Sequence, residues 1–199
     1  LPLFIHKEMM YPRGARFQYN NTGYVLLAMI LEKITGMEFD ACLRQNVFEP
    51  CKMGDTGYYE LDRLPGGCAA NYIYDPGTDG YRTNIYSVDA KGTGAGGAFV
   101  TVPDILYFWR GLTGGKLLSR DMVFRMLQRH SGDAQEGYYG YGVWIMDGGE
   151  FDIPYFQGCD PGVSFITEFH PRKDILTVLV SNYGDNVWEE MRRIREKLY

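Results

Sequence analysis

The chain has 199 residues, 45% of them hydrophobic and 23% charged, and a net charge of −5. That is enough polypeptide for one domain with a packed core, and the mild acidity, with no basic patch or tail, argues against nucleic acid or an anionic membrane as a partner. The longest apolar run is too short to span a bilayer, and four cysteines without a Cys-x-x-Cys pair, beside three scattered histidines, argue against a zinc centre.

The chain starts Leu1-Pro2-Leu3-Phe4-Ile5, without a Met or a basic leader, and this reads as a chain entered partway through. The first element expected is a helix over 22–35. Asn21 or Thr22 caps it and Gly36 stops it. Tyr24, Leu27, Leu31 and Ile34 share one face, and Val25, Leu26, Met29 and Ile30 make it apolar nearly all round, the pattern of a buried helix. A second helix, about 38–48, carries Phe39, Cys42, Leu43 and Val47 at helical spacing, and Pro50 is expected to end it. Residues 50–100 are rich in turn signals: Pro65-Gly66-Gly67, Pro76-Gly77 and Asp79-Gly80.

Helix signals return at 102–113, where Thr101 and Asp104 resemble a capping box, and at about 120–129 after Ser119. The period then changes to two. Tyr141–Met146, Phe151–Gln157, Val163–His170 and Asp174–Asn182 read as strands, the last two joined by a turn at Pro171-Arg172-Lys173-Asp174. An amphipathic helix, about 186–198, closes the chain. Its acidic residues lie in the first turn and its basic ones in the last, as the helix dipole favours. Helices, then antiparallel strands, then one helix describe an α+β domain spanning 1–199.

Two motif matches lack their context. Gly92, Gly94 and Gly97 fit Gly-x-Gly-x-x-Gly, but a polar loop precedes them and the next helix starts several residues later, so a tight loop fits better than a dinucleotide site. Ser164 follows Gly162, but Ile166 stands where a nucleophile elbow has its second glycine. Tyr19-Asn20-Asn21 is sharper. In an extended segment Tyr19 and Asn21 point the same way, pairing a proton-transfer hydroxyl with an amide donor and acceptor. The same residues also read as a packed tyrosine followed by a helix cap.

The stretch Pro12-Arg13-Gly14-Ala15-Arg16-Phe17-Gln18-Tyr19-Asn20-Asn21-Thr22-Gly23-Tyr24-Val25-Leu26-Leu27 closely resembles the Pro-x-Gly-x-x-Phe-x-Tyr-Ser-Asn-x-Gly-Tyr-x-Leu-Leu segment of the serine β-lactamase/penicillin-binding-protein superfamily. Phe48–Thr56, Gly94–Asp104, Gly115–Ser119, Tyr139–Gly142 and Pro161–Ser164 look like further family segments, in the family's order. The resemblance implies a β-lactamase/transpeptidase-like fold. It implies cleavage of an ester, amide or lactam in a small-molecule or peptide substrate through an acyl-enzyme, with no cofactor and no metal. It makes Tyr19 the proton relay. Asn21 would help hold the substrate amide or the family's lysine.

The family's Ser-x-x-Lys is absent from the chain. No serine has a lysine three residues on, and only 18 residues precede Tyr19. By resemblance, the nucleophile segment and the first strands of the sheet lie before Leu1. The chain is then an N-terminally truncated domain with an incomplete sheet, expected to need that segment as a partner or to self-associate. Phe156-Gln157-Gly158 aligns with the family's substrate-binding Lys-Thr-Gly or His-x-Gly, and Phe156 cannot pair a carboxylate. An apolar acyl substrate fits better than a β-lactam. A non-catalytic binding module is the alternative. The compartment stays open.

Overall fold

Residues 4–184 and 186–198 are described by the computed structural model; Leu1–Leu3 of the unusual start lie outside them. Asn20, extended at φ −151°, caps helix α1 (Asn21–Thr35) by accepting the Gly23 N–H at 3.3 Å, and Gly36 ends it in the left-handed region at φ 69°. The cap is one residue earlier than expected because Asn21 is already helical. The expectation that α1 is buried is overturned, since only Ala28 is buried. One side of α1 lies against the glycine loop, where a Cβ on Gly94 would sit 2.6 Å from both the Tyr24 carbonyl oxygen and the Ala28 Cβ. Leu27, Ile30, Leu31 and Ile34, spaced for one helical face, are exposed.

The second expected helix breaks into three pieces: α2 (Phe39–Leu43), a π-helical turn (Arg44–Phe48) and α3 (Glu49–Cys51). The helical backbone runs through Pro50 to Cys51, and Lys52 ends it in the left-handed region at φ 62°; Pro50 has no N–H to give to the turn before it, and that turn is the π-helical one. Helix α4 (Val102–Thr113) begins where expected, with the Thr101 hydroxyl accepting the Asp104 N–H at 3.2 Å. Asp104 itself is buried and its carboxylate accepts from the Asp55 N–H and the Thr56 hydroxyl, tying the preceding loop to α4. Helix α5 (Arg120–Met126), capped by Ser119, stops three residues short of the expected end.

The turn-rich region holds a hairpin the sequence did not suggest, β1 (Tyr72–Asp75) and β2 (Gly80–Thr83). Six further strands form one antiparallel sheet in the order of the chain: β3 (Ser131–Asp133), β4 (Gly137–Tyr139), β5 (Trp144–Asp147), β6 (Asp152–Asp160), β7 (Val163–His170) and β8 (Ile175–Ser181). The sheet is open, with β3 and β8 at its two edges. The strand expected at 141–146 starts only at Trp144, because Gly140 and Gly142 (φ 78°) belong to the β4–β5 turn. Helix α6 (Val187–Leu198) follows, with the Asn186 side chain accepting the Glu189 N–H.

The period of two along the strands sorts side chains onto two faces. Phe156, Phe165, Phe169, Leu176 and Val178 pack on Ile105, Trp109, Leu112 and Val123 of α4 and α5. Tyr155, Ile166 and Leu179 pack on Val187 and Met191 of α6. The observed architecture is therefore α+β: helices first, an open antiparallel sheet, and a C-terminal helix on the far face.

Candidate active site

Tyr19 ends the extended segment before α1, and its ring is part of an aromatic wall. Its centroid lies 5.6 Å from Trp144, 5.9 Å from Tyr24 and 6.1 Å from Tyr139. Phe17 joins it, 5.3 Å from Tyr139. Tyr139 and Trp144 face each other across β4 and β5, edge to face at 4.8 Å, a geometry that aromatic quadrupoles favour. Trp144 in turn stacks on Tyr155 of β6 at 6.3 Å. The Tyr24 and Tyr139 hydroxyls hydrogen-bond to each other. With 44% of its surface exposed, Tyr19 is the ring of this wall that opens to solvent.

Partial burial, and secondarily Tyr24, raise the Tyr19 pKa above that of an ordinary phenol. Burial and the bond from Tyr24 raise that of Tyr139 further. Both phenols are therefore protonated donors at neutral pH. A phenol becomes a base near pH 7 only if a nearby cation offsets desolvation, and among the described residues no cation is a cause of the Tyr19 shift.

The other expected site residues lie at the start of α1 and on both faces of β6. Asn21, the first residue of α1, is exposed beside the cap. Phe156 turns its ring into the core, 4.9 Å from Trp109 and 5.7 Å from Phe108. The Gln157 side chain lies on the opposite face, where its amide oxygen Oε1 accepts the Trp188 indole N–H at 2.7 Å. Gly158 is exposed, with nothing within 4 Å of where a Cβ would stand. Tyr19 thus reaches β6 through two intervening rings, Trp144 and Tyr155, on the face of Gln157. Sequence reasoning missed Tyr24, Tyr139 and Trp144 as neighbours of Tyr19, and Tyr155 behind Trp144. For the last three the one local signal was the density of aromatics at 138–155. Among the described residues no cluster of three His, Cys, Asp or Glu side chains is arranged for a metal, and no helix is long and apolar enough to cross a membrane.

The sequence matches the Beta-lactamase family over residues 5–198. It superposes on a penicillin-binding protein from Bacillus halodurans with a TM-score of 0.93 and 35% identity, covering all of this chain and 61% of that one. It is 23% identical over 185 residues to the penicillin-binding protein PbpX of Bacillus subtilis strain 168, covering 92% of this chain and 44% of that protein. Its fold also matches D-amino acid amidase from Ochrobactrum anthropi at a TM-score of 0.72 and 22% identity, covering 92% of this chain and 59% of the amidase. The chain therefore spans less than half the length of its curated Bacillus relative.

Proposed function

Because this chain belongs to the Beta-lactamase family, we propose that it forms the larger part of a serine hydrolase domain that cleaves an ester, amide or lactam through an acyl-enzyme. The observation that carries the reading is the Tyr19-Asn20-Asn21 segment, placed before α1 with the Tyr19 ring half open to solvent. In this reading a serine and its lysine come from polypeptide outside these 199 residues. The lysine also supplies the cation that Tyr19 lacks and lowers its pKa into a useful range. Tyr19 then relays the proton, Asn21 holds the substrate amide or the lysine, and the aromatic wall favours an apolar acyl group. In the same reading β6 is the strand beside the substrate, with Gln157 on the face of the aromatic wall and Gly158 on the face of Phe156, where the missing side chain leaves room for close backbone approach.

A second reading, a binding module without catalysis, is favoured by one observation. The Phe156 ring is committed to the core against Trp109 and Phe108, so at the position that the resemblance assigns to the family's lysine or histidine this chain offers a substrate no cation or imidazole. Incubation with an activated nitrophenyl ester tests the first reading. The 199-residue chain is expected to release no burst of nitrophenol, and a stoichiometric burst overturns the externally supplied nucleophile. In a longer polypeptide carrying Ser-x-x-Lys before Leu1, a serine-reactive phosphonate is expected to label the protein. Tyr19→Phe is expected to slow labelling by about 10²-fold. Absence of labelling in that longer polypeptide selects the binding module.

A further inference from the structure

A cavity of about 480 Å³ opens between α2, the π-helical turn and the loop after α3. Met37, Asp40, Arg44, Phe48, Glu49 and Tyr58 are among the residues lining it. Its size is that of a small-molecule site. The π-helical turn shapes it. The Glu49 N–H donates to the Arg44 carbonyl, five residues back. Five residues make little more than one turn of a π-helix, whereas in an α-helix they fall on opposite sides. Arg44 and Glu49 are brought in this way to one cavity wall.

The charges in this cavity are of two kinds. Asp40 is neutralised by Lys91 at 2.8 Å, and Lys91 is shared with Glu60 at 3.7 Å. Arg44 and Glu49, by contrast, form no ion pair or side-chain hydrogen bond among the described residues, with each other or with a third group. One cation and one anion therefore line the cavity uncommitted, and the buried Phe48 and the half-buried Met37 and Tyr58 line it with them. A guanidinium grips a carboxylate in two-pronged fashion, and a carboxylate accepts from an ammonium. A ligand carrying both ends and an apolar body satisfies all three surfaces at once.

We propose that this cavity binds a short zwitterionic peptide or amino acid with an apolar side chain. Its carboxylate lies on Arg44, its ammonium on Glu49 and its side chain against Phe48 and Tyr58. The site is separate from the Tyr19 wall and does not depend on the hydrolase reading. Calorimetric titration of the 199-residue chain with leucyl-leucine tests it, alongside the N-acetylated and C-amidated forms. Saturable binding of the free dipeptide is expected, weakened about tenfold or more by either blocking group. Arg44→Ala is expected to weaken the free dipeptide similarly and to remove the penalty for amidation, and Glu49→Gln to remove the penalty for acetylation. The exchanged variant Arg44→Glu/Glu49→Arg is expected to restore binding of the free form. No saturable binding up to about 10 mM, equal binding of free and blocked dipeptides, or variants that bind as the parent does each overturn the proposal. The comparison of blocked forms needs no substitution, so it decides even if a variant unfolds.

Discussion

His170 ends β7 and is buried, its ring 4.4 Å from Phe151 and its Nδ1 accepting the Lys173 N–H. Burial, and secondarily Lys173, hold its pKa below 6.5. The folded state therefore refuses a proton that the unfolded chain accepts. The stability contributed by neutral His170 is complete above about pH 6.5. It declines as the pH falls toward the folded-state value and levels off below that. Urea unfolding at pH 7.5 and pH 5.5 checks this, and His170→Asn, which keeps an acceptor for Lys173, is expected to flatten the acid-side loss. An unchanged slope in that variant means that other groups cause it. Tyr19 shows the opposite balance of local and distant information. Its position before a helix cap was legible in the sequence because caps are local. Its neighbours were not, because Tyr139 and Trp144 arrive through strand pairing more than a hundred residues away.

At the level of elements, α6 is fastened to the sheet by one buried ion pair. The Glu168 carboxylate on β7 is 1% exposed and accepts two hydrogen bonds from Arg195 Nε at 2.8 and 2.9 Å. Arg195→Met leaves that carboxylate buried without a partner. The expected loss is about 3–5 kcal/mol in chemical unfolding, and the double variant Glu168→Leu/Arg195→Met is expected to regain most of it. If the double variant is no more stable than the single one, uncompensated charge is not the cause. Elements written in local chemistry were legible: α4 from Thr101 and Asp104, β7 from its run of β-branched and aromatic residues before the Pro171–Asp174 turn, α6 from its charge order. The β1–β2 hairpin was not. Its Tyr72 N–H donates to the Asn182 carbonyl and the Tyr72 ring stacks on Tyr183, so what holds it is supplied by chain beyond β8. The π-helical turn escaped for a related reason, since helical spacing does not distinguish an α-turn from a wider one and Pro50 reads as a stop in either.

At the scale of the molecule, the exposed stripe of Leu27, Ile30, Leu31 and Ile34 on α1 and the open edge at β8 are the surfaces suited to association. Sedimentation of the isolated chain at micromolar concentration is expected to show concentration-dependent self-association. The double variant Leu27→Glu/Ile34→Glu is expected to reduce it, and a monodisperse parent counts against the idea. The apolar stripe was readable from the sequence, but its exposure was not, because periodicity says which residues share a face and not what lies against it. The sheet carries a consequence of another kind. Because β3 to β8 pair strictly in chain order, each ladder among these described strands closes between neighbours in sequence. Such local pairing lowers the loop-closure cost and favours rapid assembly. The C-terminal half can form its ladder hairpin by hairpin as it is synthesised, and α4 and α6 then meet a template that is already in register.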